Sequence, residues 1–579
     1  MRAHHIWELL WVLPSLASRG TMRSMSFSRL AFRLIAPICV GAACQPGKTP
    51  CSSGFDLDAA GRCQPTEMVK DTGEAQPEDT GPPPIDTDFE FGPVMACTDP
   101  AETVSYVEVG LEFGLQEPSV WMGEHTENGS VAVADFDGDG DLDIVLGFDG
   151  EQPILYDRDG DRFVGSFLPI EDRFTQMGMA DLDNDGRLDL TFGGIVNQQV
   201  LLNREGGWEP VDFPPVQFEG GSSVGHVKSI HPMDIDRDGI QDAYVLVSAI
   251  DATGLAAMDF IAWGVGDGTF VADTSVVPTD WGYQKGFDVQ WFDWDEDGWQ
   301  DIYVVNERTV SPDGSSDRPV GNFLLANREG NLELANDDCM CHIEHDGMGA
   351  GLGDFNRDGR ADLMLSATGK NVLLQQLEDR TFVDVGQATG ADTLDGTNES
   401  MAWSAIMVDF DNDGMMDIAE AEGDLWHAHT DSPNIMDMAF NMIRQVAPSE
   451  FELANEFGFG QMGSWRSIVA ADHNGDGVLD FIVSDVEHRP IFLLSEGCTS
   501  NAWFQVAAPH GSQIQVDAGE STWTGFANTA SSFGGVVEPV AHFGLGAIST
   551  VDRVQVWAPN GSILELNGPI EARRRITLK

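Results

Sequence analysis

An all-β fold is predicted for this 579-residue chain, most of it a ring of small radial sheets, and three observations predict it. A nine-residue acidic motif recurs seven times. Short runs rich in β-branched and aromatic residues flank every copy. A second pair of such runs follows each copy after a gap, so that one repeat supplies about four strands. Periods of this size built from four short strands point to a seven-bladed β-propeller with loops that bind Ca²⁺, followed by a small C-terminal β module.

The motif begins at Asp135 (DFDGDGDLD), Asp181 (DLDNDGRLD), Asp234 (DIDRDGIQD), Asp293 (DWDEDGWQD), Asp354 (DFNRDGRAD), Asp409 (DFDNDGMMD) and Asp472 (DHNGDGVLD). Successive starts lie 46, 53, 59, 61, 55 and 63 residues apart. Every copy has Asp at positions 1, 5 and 9, Asp or Asn at position 3, and Gly at position 6. Oxygen side chains at 1, 3 and 5 of a tight loop converge on one point. Gly at 6 permits a sharp turn with positive φ. The carbonyl at 7 and the carboxylate at 9 then complete the shell that a hard cation such as Ca²⁺ takes up. The ligand set is therefore Asp135, Asp137, Asp139 and Asp143; Asp181, Asp183, Asp185 and Asp189; Asp234, Asp236, Asp238 and Asp242; Asp293, Asp295, Asp297 and Asp301; Asp354, Asn356, Asp358 and Asp362; Asp409, Asp411, Asp413 and Asp417; and Asp472, Asn474, Asp476 and Asp480. Up to seven Ca²⁺ ions are expected. The loops are not EF-hands, which need a Glu at position 12 between two helices. Position 12 is Leu146, Phe192, Val245, Val304, Leu365, Glu420 and Val483, and the flanks read as strands.

The two ends of the array are expected to close the ring. The last repeat stops after IFLLSEG, short of a final strand, while VSYVEVGLEFGL (Val104–Leu115) is similar to RTFVDVGQATGA (Arg380–Ala391) inside the array. An N-terminal strand can thus complete the last blade. Cys97 and Cys498 then become neighbours, and a disulfide between them would lock the closure.

The chain carries 31 basic against 95 acidic residues, a net charge of −64. Such a field repels phosphate backbones and anionic membranes, so nucleic acid is not expected as a partner. Residues 1–43 read as a signal region, with Arg23, Arg29 and Arg33 before the apolar run Leu34–Ala43. Met22 and Met25 offer later starts. Cys44 follows Gly41-Ala42-Ala43, an order that resembles the lipobox of bacterial lipoproteins with Gly in place of the usual Leu. A lipid anchor at Cys44 is the one membrane link expected, beside the alternative of an ordinary cleaved signal. The destination is the cell envelope, as an outer-membrane lipoprotein, or the medium. Residues 44–63 form a short segment in which Cys51 and Cys63 bracket a loop. Residues 64–96, Pro-rich and acidic, read as a linker. Residues 97–498 form the propeller and 499–579 the β module.

The repeated D-x-[DN]-x-D-G-x-x-D resembles the FG-GAP/VCBS repeat family, which includes the integrin α-subunit propellers. The resemblance covers roughly residues 100–498 and implies Ca²⁺ at positions 1, 3, 5 and 9. Asn356 and Asn474 leave the fifth and seventh sites with less charge. HFGLG (His542–Gly546) followed by VDRVQVWAPNGSILEL (Val551–Leu566) is similar to the ASPIC/UnbV domain, and Asn560-Gly561 marks a hairpin turn within it.

No catalytic constellation stands out. GSSVG (Gly221–Gly225) matches a nucleophile elbow, but a strand follows it where a helix is required, so Ser223 receives no catalytic role. CMCHIEH (Cys339–His345) contains soft-metal ligands, although paired cysteines in an exported protein are more often oxidised. Blade packing accounts for most of the 15 tryptophans, and a few could line a carbohydrate-binding face. The expected function is a non-enzymatic adhesion or ligand-binding scaffold whose partner is a protein or glycan at the cell surface. The alternative is a propeller-based lyase or hydrolase acting on polysaccharide or lipid.

Overall fold

The computed structural model describes residues 55–57, 63–65, 88–98, 100–115, 129–148, 152–160, 162–170, 174–194, 198–214, 227–247, 259–277, 286–306, 321–392, 401–423, 438–486, 489–528 and 530–579. Cys44, Cys51, Ser223, Met22 and Met25 lie outside them. Residues 55–57 and 63–65 pair as an antiparallel hairpin in a unit that ends at Pro83. Everything from Pro84 to Lys579 forms the second compact unit.

Within that unit, seven sheets repeat one plan. The first orders strands Gly129–Ala134, Asp143–Phe148, Ile154–Asp159 and Arg162–Phe167. The second runs from Phe174–Ala180 to Gly207–Asp212, the third from Val227–Met233 to Phe270–Asp273 and the fourth from Gly286–Phe292 to Asn331–Leu334. The fifth runs from Gly347–Gly353 to Phe382–Asp384 and the sixth from Ala402–Val408 to Glu450–Leu453. The seventh has only Trp465–Ala471, Asp480–Asp485 and Ile491–Ser495 from its own repeat. The first strand of each sheet touches that of the next, and the seventh touches the first, so the sheets close into a propeller. First and second strands are buried almost throughout, while fourth strands such as Glu450–Leu453 alternate outward. That gradient is what radial packing demands.

The seventh blade takes its fourth strand from the N-terminal side. Tyr106–Glu108 pairs antiparallel with Ile491–Ser495, Tyr106 opposite Ser495 and Glu108 opposite Leu493. As the internal resemblance predicts, Tyr106–Glu108 and Phe382–Asp384 are both fourth strands, each followed by a one-turn helix, Gly110–Phe113 and Gly386–Thr389. The Tyr106 hydroxyl donates to the carbonyls of Leu479 (2.9 Å) and Phe410 (3.1 Å), so it ties the closing strand to blades six and seven. Arg489 forms a two-pronged pair with Glu108 at 2.7 and 2.8 Å. Cys97 and Cys498 are disulfide-bonded with a Cα separation of 5.8 Å.

The C-terminal residues build two four-stranded sheets packed face to face. One orders Ser521–Ala527, Ser512–Ala518, Thr550–Trp557 and Ile563–Glu571. The other orders Phe89–Phe91, Arg574–Leu578, Ala502–Ala507 and Val540–Gly546. Phe504, Ile514, Val516, Phe543, Val554 and Ile576 fill the space between them. Two readings of the sequence are corrected here. Phe89–Phe91, inside the stretch read as linker, is an edge strand of this module, because Phe89 alone of the three turns into its core. The module is also not separate. Its hairpin Ala530–Ser532 and Gly535–Val537 enters the propeller, where Gly535–Val537 runs parallel to Val131–Val133, the innermost strand of blade one.

At the tip of that hairpin Phe533 is fully buried among Phe287, Met348, Met401 and Trp403, residues of blades four, five and six. Lys228 of blade three lies over the rings of Phe287 (4.7 Å) and Phe533 (5.3 Å). The Phe533 N–H donates to Asp288 at 3.3 Å. Burying such a side chain stabilises the docked state by roughly 1.5–3 kcal/mol. The hairpin therefore holds the module on the propeller axis.

Closure predicts the effect of cutting the bond. Cys97→Ser and Cys498→Ser should each lower stability by about 2–4 kcal/mol, and the double variant should cost no more than either single one. Non-reducing peptide mapping should recover a Cys97–Cys498 peptide; pairing of either cysteine elsewhere would contradict the closure.

Candidate metal centres

Each acidic motif lies between the first and second strands of its blade, and the backbone uses its carboxylates first. The position-1 carboxylate accepts the N–H of the position-6 glycine in all seven loops, at 2.8–3.1 Å. The position-5 carboxylate accepts the N–H of position 7, again in all seven. Position 6 has φ between 85° and 96° throughout, which only glycine adopts without strain.

Two features escaped the sequence reading. The first is position 4, which is also left-handed in every loop: Gly138, Asn184, Arg237, Glu296, Arg357, Asn412 and Gly475 have φ of 57–82°. Gly or Asn at four of the seven was the available signal. The second is the job of position 9. One oxygen of Asp143, Asp189, Asp242, Asp301, Asp417 and Asp480 accepts the N–H of position 2. The other oxygen accepts a third-strand N–H, from Arg158, Asn203, Gly264, Asn327, Gln445 and Ser495 respectively. Asp362 takes the Gln376 N–H in the same way. Position 9 thus stitches loop to sheet, whatever else it binds.

The loops bring together most of the ligand set assigned from sequence. Carboxylate oxygens of positions 1, 3 and 9 lie within 4.8 Å of one another in blades one, two, three and six. In blade four it is positions 1, 3 and 5, Asp293, Asp295 and Asp297. Blades five and seven place Asn356 and Asn474 at position 3, where each amide donates to its own position-5 carboxylate, Asp358 or Asp476. Glu420, which alone matched an EF-hand at position 12, is buried in the second strand of blade six and accepts from Asn371, away from any loop.

Burial without a counter-charge shows in the acidities. Burial pushes Asp143 and Asp234 up to about 6 and Asp189, Asp242 and Asp293 up to about 7, and neighbouring carboxylates push in the same direction. Asp409, Asp417 and Asp480 are raised well above the usual range for the same reasons. Buried oxygens of Asp234, Asp295 and Asp472 have no hydrogen-bond partner. A divalent cation would satisfy both the charge and these oxygens, so the residues present fit Ca²⁺.

The C-terminal module rests on the sixth loop. His542 meets the Asn412 side chain at 2.6 Å, the Gly546 N–H donates to the Asn412 carbonyl (2.9 Å), and Trp523 donates to the Gly414 carbonyl (3.2 Å). At Gly544 a Cβ would fall 1.9 Å from an Asp409 oxygen, so glycine in HFGLG is required by close approach. Burial holds His542 neutral, at about 3.

Elsewhere, Cys339 and Cys341 are joined as a buried disulfide and so are not thiolate ligands for a soft metal. His345 is a half-buried residue just before blade five, pushed down to about 4 by desolvation. Trp291, Trp294, Trp403 and Trp465 are buried in the blades.

Comparison with known proteins bears on the same two regions. Residues 135–192 and 344–419 match the FG-GAP-like repeat, and residues 507–579 match ASPIC and UnbV. The chain thus carries FG-GAP-like repeats and, after them, an ASPIC and UnbV domain. It is similar to cartilage acidic protein 1: 27% identical to the Homo sapiens protein over 266 residues, 42% of this chain and 38% of that one. The Mus musculus protein is 25% identical over 264 residues, with the same shares covered. The match thus spans less than two-fifths of these relatives. Among solved structures, the Myceliophteria thermophila Cps50 (Swd1) β-propeller domain gives a TM-score of 0.38 at 9% identity, covering 65% of this chain and 99% of that one. YCF48 from Cyanidioschyzon merolae gives 0.38 at 10%, covering 67% and 98%. The fold assignment rests on strand order, not on these values.

The raised acidities predict how the metal-free chain responds to pH. A carboxylate whose folded pKa exceeds its unfolded value binds more protons when folded, so stability falls as pH rises through the interval between the two. In chelator, the melting temperature should fall from about pH 4 to about pH 7, the window set by Asp143, Asp189 and Asp242. With millimolar Ca²⁺ the decline should shrink or reverse. Parallel pH profiles in chelator and in Ca²⁺ would contradict the reading.

Proposed function

We propose that this protein is an exported, Ca²⁺-dependent, non-enzymatic scaffold that binds a protein or glycan at the cell surface. The observation that carries the proposal is the repeated loop: in five of the seven copies three carboxylates converge within 4.8 Å, at least one of them buried, without a full set of counter-charges among the described residues. Bound Ca²⁺ supplies positive charge and oxygen coordination there. The chain's own residues do the rest. Position 6 turns the backbone, position 9 fixes the loop to its sheet, and positions 1, 3 and 5 present oxygens.

A structural ion suits these loops better than a signalling one. They sit between strands already closed into a ring, so an ion stiffens an existing surface. Ligand binding is expected on the loop side. Between blades one and two a groove of about 310 Å³ is lined by Asp137, Asp157, Arg187, Arg204 and Trp208. Donors, acceptors and one aromatic face suit a polar ligand. Among the described residues no nucleophile–base pair lies in that groove, and no helix is long and apolar enough to cross a membrane. Attachment through an acylated Cys44 belongs to the same proposal and is read out by mass spectrometry of the mature N-terminus.

Seven sites each filled at ten times their Kd would add roughly 1.4 kcal/mol apiece by mass action. Chelator should therefore lower the melting temperature markedly, and an unchanged melt would sink the proposal. Asp135→Ala and Asp139→Ala should each remove one bound Ca²⁺ in calorimetric titration. An unchanged ion count in both would show that the first loop is not a site.

A further inference from the structure

The seven loops are alike in backbone but not in charge. In blade six, one guanidinium nitrogen of Arg444, on the third strand, lies 2.6 Å from Asp411 and 2.8 Å from Asp413, the carboxylates at positions 3 and 5. In blade four, Arg328 contacts Asp295 at 2.6 Å and Asp297 at 2.8 Å, again positions 3 and 5. In blade two, Arg204 pairs with Asp183 and lies 3.9 Å from Asp185. All three arginines come from third strands. In the same loops the other oxygens at position 5 face the backbone N–H of position 7. The guanidinium therefore stands on the outward oxygens, those free to take a cation.

A Ca²⁺ ion needs those oxygens at 2.3–2.6 Å. A guanidinium set against them at ion-pair distance, with one nitrogen bridging both in blade six, fills nearly the same point with a single positive charge. Blades one and three differ. Among the described residues, Asp137, Asp139, Asp236 and Asp238 accept hydrogen bonds only from backbone N–H groups. In blade one the third-strand position matching Arg444, the residue before the one that donates to position 9, is Asp157. Asp157 faces the groove beside Asp137, where it adds negative charge.

The geometry points to Arg204, Arg328 and Arg444 as built-in counter-ions that compete with Ca²⁺ in blades two, four and six, so that the loops of blades one and three fill first. This rests on the Ca²⁺ reading above and divides its seven loops into affinity classes. The arginine loops stay partly neutralised when calcium is scarce, because each guanidinium offsets one of the carboxylate charges. The loops of blades one and three, with no guanidinium on positions 3 and 5 among the described residues, depend on the ion.

The test is equilibrium dialysis of the full chain against Ca²⁺ alone, with melting in chelator measured alongside. The wild-type chain should show two tight ions and a weaker remainder. Arg328→Gln and Arg444→Gln should each convert one weak site to one at least about tenfold tighter, the effect of removing a unit charge a few ångströms from a divalent ion. Arg328→Lys should fall between. The same Gln variants should melt lower than wild type in chelator, which separates lost competition from misfolding. In the opposite direction, Asp157→Arg should weaken one tight site at least about tenfold. Unchanged or weaker binding in the Gln variants would overturn the competition while leaving the Ca²⁺ sites standing. A wild-type chain that binds no Ca²⁺ would overturn both.

Discussion

A buried carboxylate that accepts a third-strand N–H underlies every blade, and in six of the seven it also accepts an N–H from the start of its own loop. Asp189, for example, holds Leu182 N–H at 2.8 Å and Asn203 N–H at 2.7 Å. It fixes the loop on the sheet edge and sets the register at which the third strand meets the second. Two charge-assisted hydrogen bonds contribute strongly in a low-dielectric site. They also bury a negative charge next to two or three more, which is unstable unless a cation or a proton joins them. The need for a counter-charge is therefore built into the fold.

That need links the rest of the molecule. Neighbouring blades pack through first strands whose ends lead directly into the loops, so loop geometry and ring geometry are set together. The ring is fastened by Tyr106–Glu108, the Arg489–Glu108 pair and the Cys97–Cys498 bond. The C-terminal module then presses on the sixth loop through His542 and Trp523 and drives Phe533 into the centre. Propeller, loops and module form one mechanical unit.

Much of this was legible because repetition exposes it. Seven copies of one motif reveal the blades, and the likeness of Val104–Leu115 to Arg380–Ala391 reveals the closing strand, since each is a fourth strand with the same following turn. What stayed hidden depends on partners distant in sequence. Nothing local marks Phe89–Phe91 as an edge strand, because its partner, Arg574–Leu578, lies almost five hundred residues away. Phe533 reads as an ordinary apolar residue until Phe287 and Trp403 surround it. The left-handed position 4 was obscured by Arg237, Glu296 and Arg357, residue types that give no hint of positive φ. The arginines above the loops were unreadable for a similar reason: charge balance is set by third strands 19 to 33 residues downstream of the carboxylates they meet.

The most direct measurement is anomalous diffraction from crystals of the full chain grown with Ca²⁺, at a wavelength where calcium scatters anomalously. Peaks should lie among the oxygens of positions 1, 3 and 5, strongest at Asp135–Asp143 and Asp234–Asp242. Loops that keep this backbone geometry with no peak at any of the seven would contradict a cation as the missing counter-charge.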